Sequence, residues 1–157
     1  MIRNATPSDI PFMMILARES SSAAQWTTKQ YEDLFPDAQV ESIRRFAVVA
    51  VQNDVSDASQ NEVLGFLIAR HLAPEWELEN IVVAPAARRT GVGRKLVDAL
   101  IAAARETNSE CVFLEVRQSN SAARALYEQC GFTAQGRRKS YYSNPSEDAV
   151  IYRLSLR

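Results

Sequence analysis

The sequence of 157 residues holds one histidine, His71, and two cysteines, Cys111 and Cys130. A solitary histidine argues against a Ser-His-Asp or Cys-His hydrolase, and two cysteines make neither a disulfide framework nor a metal site. Metal chemistry is not expected. Long apolar runs are also missing: stretches such as Phe46 to Val51 fall far short of the roughly 20 residues a membrane span needs. Met1-Ile2-Arg3-Asn4 leads into Thr6-Pro7-Ser8-Asp9 without an apolar segment after a basic start, so a cytoplasmic protein without a membrane partner is expected. Charge of one sign is lacking too. With 18 Lys and Arg against 19 Asp and Glu, the net charge is -1, and the one compact basic run near the C-terminus, Arg137-Arg138-Lys139, is too short to make nucleic acid an expected partner. Glycine is scarce, and none stands between Gly93 and Gly131.

What is present is a globular composition, 46% hydrophobic and 24% charged, in a chain of the length of one domain, 1–157. Thr6, Pro7 and Asp9 read as a capped helix start, with a helix from about Pro7 to Ser20 carrying Ile10, Met13, Met14 and Ala17 at helical spacing. Thr27 or Thr28 caps a second helix towards Phe35. Phe46 to Val51 and Val63 to Ala69 are antiparallel strands joined by a polar hairpin loop, Asn53 to Asn61. Trp76 to Val83 is the next strand, Gly91 to Arg105 a long helix, and Cys111 to Val116 a strand that runs parallel to its predecessor through that crossover. Ser121 to Gln129 is a short helix, and two last strands flank Ser143 to Ser146. The order β-α-α-β-β-β-α-β-α-β-β is that of a mixed α/β sandwich.

The segment Ala87 to Lys95 follows the apolar run Ile81-Val82-Val83 and opens the long helix. Helix N-termini carry unpaired N–H groups and partial positive charge, and glycines admit a ligand close to the backbone, so this turn suits a phosphate. Arg88, Arg89, Arg94 and Lys95 add four cations without one acid. Spacing separates the possible loops. A Walker loop needs Ser or Thr after a Gly-Lys pair, but Gly93 is followed by Arg94, Lys95 and Leu96; a dinucleotide fingerprint needs a third glycine where Leu96 stands. What remains is R-x-x-G-x-G from Arg88 to Gly93, or an ordinary strand-to-helix turn with a solvated charge run.

Three downstream residues have two readings each. Glu115 lies mid-strand on one face with Phe113 and Arg117, either neutralised by Arg117 or a neighbouring strand, or raised by burial to serve as a general base. Tyr127 shares a stripe with Ala123, Leu126 and Cys130, which is core spacing; its phenol is also able to protonate a departing thiolate. Asn120, with Ser121 as rival, is an N-cap or a ligand for an amide-bearing cofactor. Cys111 and Cys130 have no histidine beside them and read as packed thiols.

The R-x-x-G-x-G loop resembles the pyrophosphate loop of the GCN5-related N-acetyltransferases (GNAT). The stretch from Leu114-Glu115-Val116-Arg117 through Ser119-Asn120, Ala125-Leu126-Tyr127-Glu128 and Cys130-Gly131-Phe132 to Tyr141-Tyr142 and Glu147-Asp148-Ala149, with Asn80 to Pro85, is similar to the bacterial ribosomal-protein-alanine N-acetyltransferase (RimI) family. The resemblance runs from about residue 77 to the C-terminus; upstream it rests on Trp26-Thr27, where Gln25 stands in place of the family's usual proline. It implies a GNAT fold: a mixed, mostly antiparallel central sheet with a parallel splayed pair, flanked by about four helices. It implies acetyl-CoA as co-substrate and a protein or peptide N-terminus, such as that of a ribosomal protein, as acceptor, with a lysine or small-amine acetyltransferase or a non-catalytic acyl-CoA-binding module as alternatives. Position by position it makes Glu115 the general base and Tyr127 the general acid, gives Ile81, Val82 and Val83 to the pantetheine arm and acetyl carbonyl, and Arg88, Arg89, Thr90, Gly91, Val92, Gly93 and Arg94 to the pyrophosphate. Asn120 would bond the pantetheine, the Tyr141-Tyr142 loop would shape the peptide site, and Arg124 would reach the adenosine phosphate or only solvent.

Overall fold

Short runs rich in β-branched and aromatic residues, separated by capped amphipathic segments, dictate the architecture. The computed structural model describes residues 1–37, 44–52, 62–143 and 145–157. Strand β1 (Ile2–Asn4) is followed by a single 3-10 turn (Pro7–Asp9) that runs into α1 (Ile10–Glu19), so the first expected helix is real but tightens at its start. The Asp9 carboxylate accepts from the Thr6 N–H (2.8 Å) and from both terminal nitrogens of Arg3 (2.8 and 2.9 Å), fixing that start. Helix α2 (Thr28–Glu32) is shorter than expected. Thr27 rather than Thr28 caps it, through a reciprocal box with Gln30 (3.2 and 2.8 Å), and Pro36 disfavours helix at Phe35.

Strands β2 (Arg45–Gln52), β3 (Glu62–Leu72) and β4 (Glu75–Val83) form an antiparallel meander; the polar loop expected at Asn53 to Asn61 lies outside the described residues. Helix α3 (Val92–Glu106) crosses over to β5 (Cys111–Arg117), and α4 (Ser121–Gln129), β6 (Thr133–Tyr142) and β7 (Glu147–Ser155) complete the order. The sheet runs β1-β2-β3-β4-β5-β7-β6, with β4 and β5 its parallel pair. This is the mixed, mostly antiparallel sheet with about four helices that the sequence implies.

Two apolar layers cover the sheet. Leu96, Val97, Leu100 and Ile101 of α3 and Tyr127 of α4 pack with Trp76, Leu78, Val112, Leu114 and Val116 on one face. Ile10, Met13, Leu16, Tyr31 and Leu34 pack with Val49, Phe66, Ile68 and Val82 on the other. Strand β4 changes sides between them. Ala69 pairs with Leu78 but Ile68 with Asn80, so Glu79 is an extra residue in the ladder, a bulge that moves the even positions from the α3 face (Trp76, Leu78) to the α1 face (Val82).

Candidate active site

The parallel pairing of β4 with β5 covers Glu75↔Cys111, Trp76↔Val112 and Glu77↔Phe113 and goes no further. Beyond it the strands splay, at the bulge, and a gap opens between Glu79–Val83 and Leu114–Arg117. The Ala84 N–H donates to the Leu64 carbonyl (2.7 Å), so by antiparallel alternation the backbone groups of Val82 point to β3 while those of Ile81 and Val83 point into the gap. Free strand-edge groups in a half-buried cleft are ready partners for an amide or carbonyl ligand.

The mouth of the gap is the turn after β4. A 3-10 turn (Pro85–Ala87) leads to Arg88 and Arg89, the latter at φ +61°, and Gly91 takes φ +87° as the N-cap of α3. A β-carbon on Gly91 would meet nothing within 4 Å, so glycine is required there by backbone conformation alone. Gly93 answers to packing instead: its β-carbon would lie 3.1 Å from Leu126 of α4, which keeps the first turn of α3 tight against that helix. No side chain caps α3; the Thr90 hydroxyl turns back to the Ala87 carbonyl. The first amides, of Val92, Gly93 and Arg94, therefore keep their N–H groups for a ligand. Arg88, Arg89 and Lys95 are exposed around them. Arg94 is drawn aside, donating to the Gln129 carbonyl (3.4 Å) and standing 3.8 Å from Asp98.

On β5, Leu114 and Val116 belong to the α3 face, so Phe113, Glu115 and Arg117 point to the other. The expected face is therefore right, but the neutralising partner is not Arg117. Arg117 donates to Glu147 (3.4 Å) and lies over the Tyr142 ring (4.3 Å), whereas Glu115 pairs with Arg138 of β6, Nε to Oε1 3.0 Å. The Glu115 side chain is 15% exposed, and its charge is the main cause that raises the Tyr141 hydroxyl above its ordinary pKa. Tyr142 is raised first by burial and then by Glu115. These two tyrosines and Arg138 make the wall around the carboxylate.

Tyr127 faces the α3 side, 4% exposed among Phe132 and Tyr152 with ring centroids 5.9 and 6.1 Å away. Burial pushes its phenol far above the ordinary value, with Tyr142 as a lesser cause. Asn120 does cap α4, its Oδ1 accepting from the Ala123 N–H (3.1 Å), which leaves its amide nitrogen for another partner. Arg124 donates to the buried Tyr152 hydroxyl (3.0 Å) and to the Gln118 carbonyl (3.0 Å), fixing the turn before α4. Tyr142, which feels Glu115 and in turn raises Tyr127, was visible in the sequence only as part of a loop.

Among the described residues no cluster of three or more His, Cys, Asp or Glu is placed to hold a metal, and no helix is long and apolar enough to cross a membrane.

A sheet splayed at its parallel pair, with a glycine-turned helix at the mouth that no side chain caps, is the framework of a GNAT fold. The chain belongs to the acetyltransferase (GNAT) family, whose model matches residues 12–132. The [ribosomal protein bS18]-alanine N-acetyltransferase of Haemophilus influenzae is 40% identical over 94 residues, 58% of this chain and 64% of that protein, so the match spans somewhat less than two thirds of that relative. The solved ribosomal-protein-S18-alanine N-acetyltransferase from Escherichia coli superposes with a TM-score of 0.77 at 30% identity, covering 99% of this chain and 93% of that one. Arabidopsis thaliana NAA60, solved in complex with acetyl-CoA, superposes at 0.86 with 16% identity, covers 99% of this chain and 98% of that one, and shares the fold.

Proposed function

We propose that this protein transfers the acetyl group of acetyl-CoA to the N-terminal α-amine of a protein acceptor, such as a ribosomal protein. The observation that carries the reading is the splay itself: a gap between β4 and β5 that opens to both faces of the sheet, with Glu115 on one face and Tyr127 on the other. The coenzyme's pyrophosphate would take the N–H groups of Val92, Gly93 and Arg94 with Arg88 and Arg89 beside them, and its pantetheine would follow the open edge at Ile81 and Val83 towards Asn120. The thioester would then lie in the gap. An amine entering from the Glu115 side gives up its proton to that carboxylate, directly or through one water, and attacks the acetyl carbonyl, whose developing oxyanion is held by strand N–H groups. Tyr127, kept protonated by burial, returns a proton to the coenzyme thiolate.

Proton costs favour an α-amine acceptor over a lysine. Neutralising a peptide α-amine of pKa about 8 at pH 7 costs about 1 kcal/mol, and a lysine at about 10.4 costs about 4.6 kcal/mol. A single carboxylate fits the first. The similarity to enzymes named for alanine N-termini of a ribosomal protein supports the same acceptor class.

The test is release of free thiol from acetyl-CoA with peptides bearing N-terminal Ala or Ser, against an N-blocked peptide with an internal lysine. Turnover with the first set only is expected. Turnover with lysine only would overturn the acceptor, and coenzyme binding without turnover on any amine would leave a binding module.

A further inference from the structure

The basic run Arg137-Arg138-Lys139 finds no use in the reaction as described, yet its middle residue touches the proposed base. Arg138 sits on β6, an edge strand exposed along nearly its whole length, and its own side chain is 56% exposed. It nevertheless folds inward, placing Nε 3.0 Å from Glu115 Oε1 and its guanidinium carbon 5.3 Å from the centre of the Tyr141 ring. Past Arg138 the β6–β7 register breaks, Ser140 takes φ +50°, and its N–H is held by Asp148 (2.9 Å), so the backbone presenting Arg138 and Tyr141 is irregular and pinned.

A general base must stand about 2.6–3.2 Å from the proton it removes, or one water away. At Glu115 one carboxylate oxygen is already taken by a cation of the kind the acceptor brings. We propose that Arg138 is a displaceable stand-in for the acceptor ammonium: it occupies Glu115 while the site is empty and swings out towards solvent when an acceptor amine arrives. The inference rests on the reading of Glu115 as general base. An ion pair whose arginine is exposed and rests on a half-exposed ring is open to exchange for a substrate cation. The other charged or titratable groups facing Glu115 do not replace it: Tyr141 and Tyr142 are neutral at pH 7, Glu77 at the end of the paired part of β4 bonds Arg70 (2.7 Å), and Arg117 is engaged by Glu147 (3.4 Å).

The experiment is the separate measurement of KM and kcat for an N-terminal Ala peptide in the wild type, Arg138→Met, Arg138→Lys and Glu115→Gln. Removing the competing cation in Arg138→Met should lower KM for the peptide several-fold while KM for acetyl-CoA stays put. Arg138→Lys, which keeps a cation able to pair with Glu115, should restore the wild-type peptide KM. If Glu115→Gln loses turnover but the Arg138→Met peptide KM equals that of the wild type, the stand-in role is overturned while the base survives. If Glu115→Gln turns over normally, the general-base reading falls and the stand-in role with it.

Discussion

Glu115 and Tyr127 stand on opposite faces of the same sheet, one walled by Arg138 and Tyr141, the other buried against Phe132 and Tyr152. They are joined by the gap where β4 and β5 part. On the proposed mechanism base and acid are thus segregated, one on the acceptor's side and one on the coenzyme's. Substitutions at the two positions should separate accordingly. Glu115→Gln should lower kcat by about 10²–10⁴-fold with the coenzyme KM unchanged. Tyr127→Phe removes one oxygen from a packed ring, so it should lower kcat without moving the thermal midpoint by more than a few degrees. Thiol-release kinetics and a melting curve on the same preparations check both.

At the loop proposed to hold the coenzyme a second, independent outcome is expected. Gly91 needs its left-handed conformation and nothing else, since a β-carbon there touches no neighbour. Gly91→Ala should therefore cost about 1–2 kcal/mol through the backbone and weaken acetyl-CoA binding by misaiming the Val92 and Gly93 amides. Arg88→Ala and Arg89→Ala should leave stability nearly untouched, because both side chains are exposed, and should weaken binding more at low salt than at high salt. Equilibrium binding of acetyl-CoA at two ionic strengths separates the two effects.

Acid lability should be governed by two held carboxyls. Arg3 and the Thr6 N–H keep Asp9 below the usual carboxylate range, and Ser119 and Arg117 do the same for Glu147. A depressed folded pKa means that the unfolded chain binds more protons near pH 4, so the stability these groups confer is complete above that range and is lost as pH falls through the folded values. Asp9→Asn should cost about 1–3 kcal/mol at pH 7 and flatten the acid limb of a plot of thermal midpoint against pH. A limb as steep as the wild type's would remove Asp9 from the account.

Much of this was legible in the chain. Periodicity located the strands and the two longer helices, and the glycine spacing marked the turn at Gly91. The capping role of Asn120 was legible from its position. What the sequence could not carry was tertiary. The bulge at Glu79 has no glycine or proline to announce it, yet it reverses which β4 side chains face which layer. Period 2 set the face of Glu115 correctly, but its partner is Arg138, brought across from an edge strand two positions away in the sheet, while the same-strand Arg117 is taken by Glu147. Arg124, a charge on the short helix α4, serves a buried tyrosine hydroxyl that no local pattern announces.

Gln25 is the clearest case of a local departure with a structural answer, and it yields the last prediction. Where the similar family has proline, the Gln25 amide nitrogen donates to the carbonyls of Ala17 (2.7 Å), Ala23 (3.2 Å) and Ser20 (3.4 Å). Ala17 lies in the last turn of α1, where its carbonyl also accepts from the Ser20 N–H (3.2 Å), so the side chain reinforces a helix terminus and ties the following loop to it. The same loop is anchored from the sheet by Asn80, whose amide donates to the Ala24 carbonyl (3.3 Å), and it carries Trp26 against Arg45, itself paired with Glu79 at the bulge (3.0 Å). Gln25 thus does with hydrogen bonds what a proline does with a fixed φ: it narrows the conformations of a loop beside the splay. Gln25→Ala should raise KM for the peptide several-fold, leave KM for acetyl-CoA alone, and cost about 1–2 kcal/mol. Gln25→Pro should recover part of the acceptor affinity if restriction of the loop is what matters, and none of it if the carbonyl contacts are. Peptide KM for the three proteins decides between them.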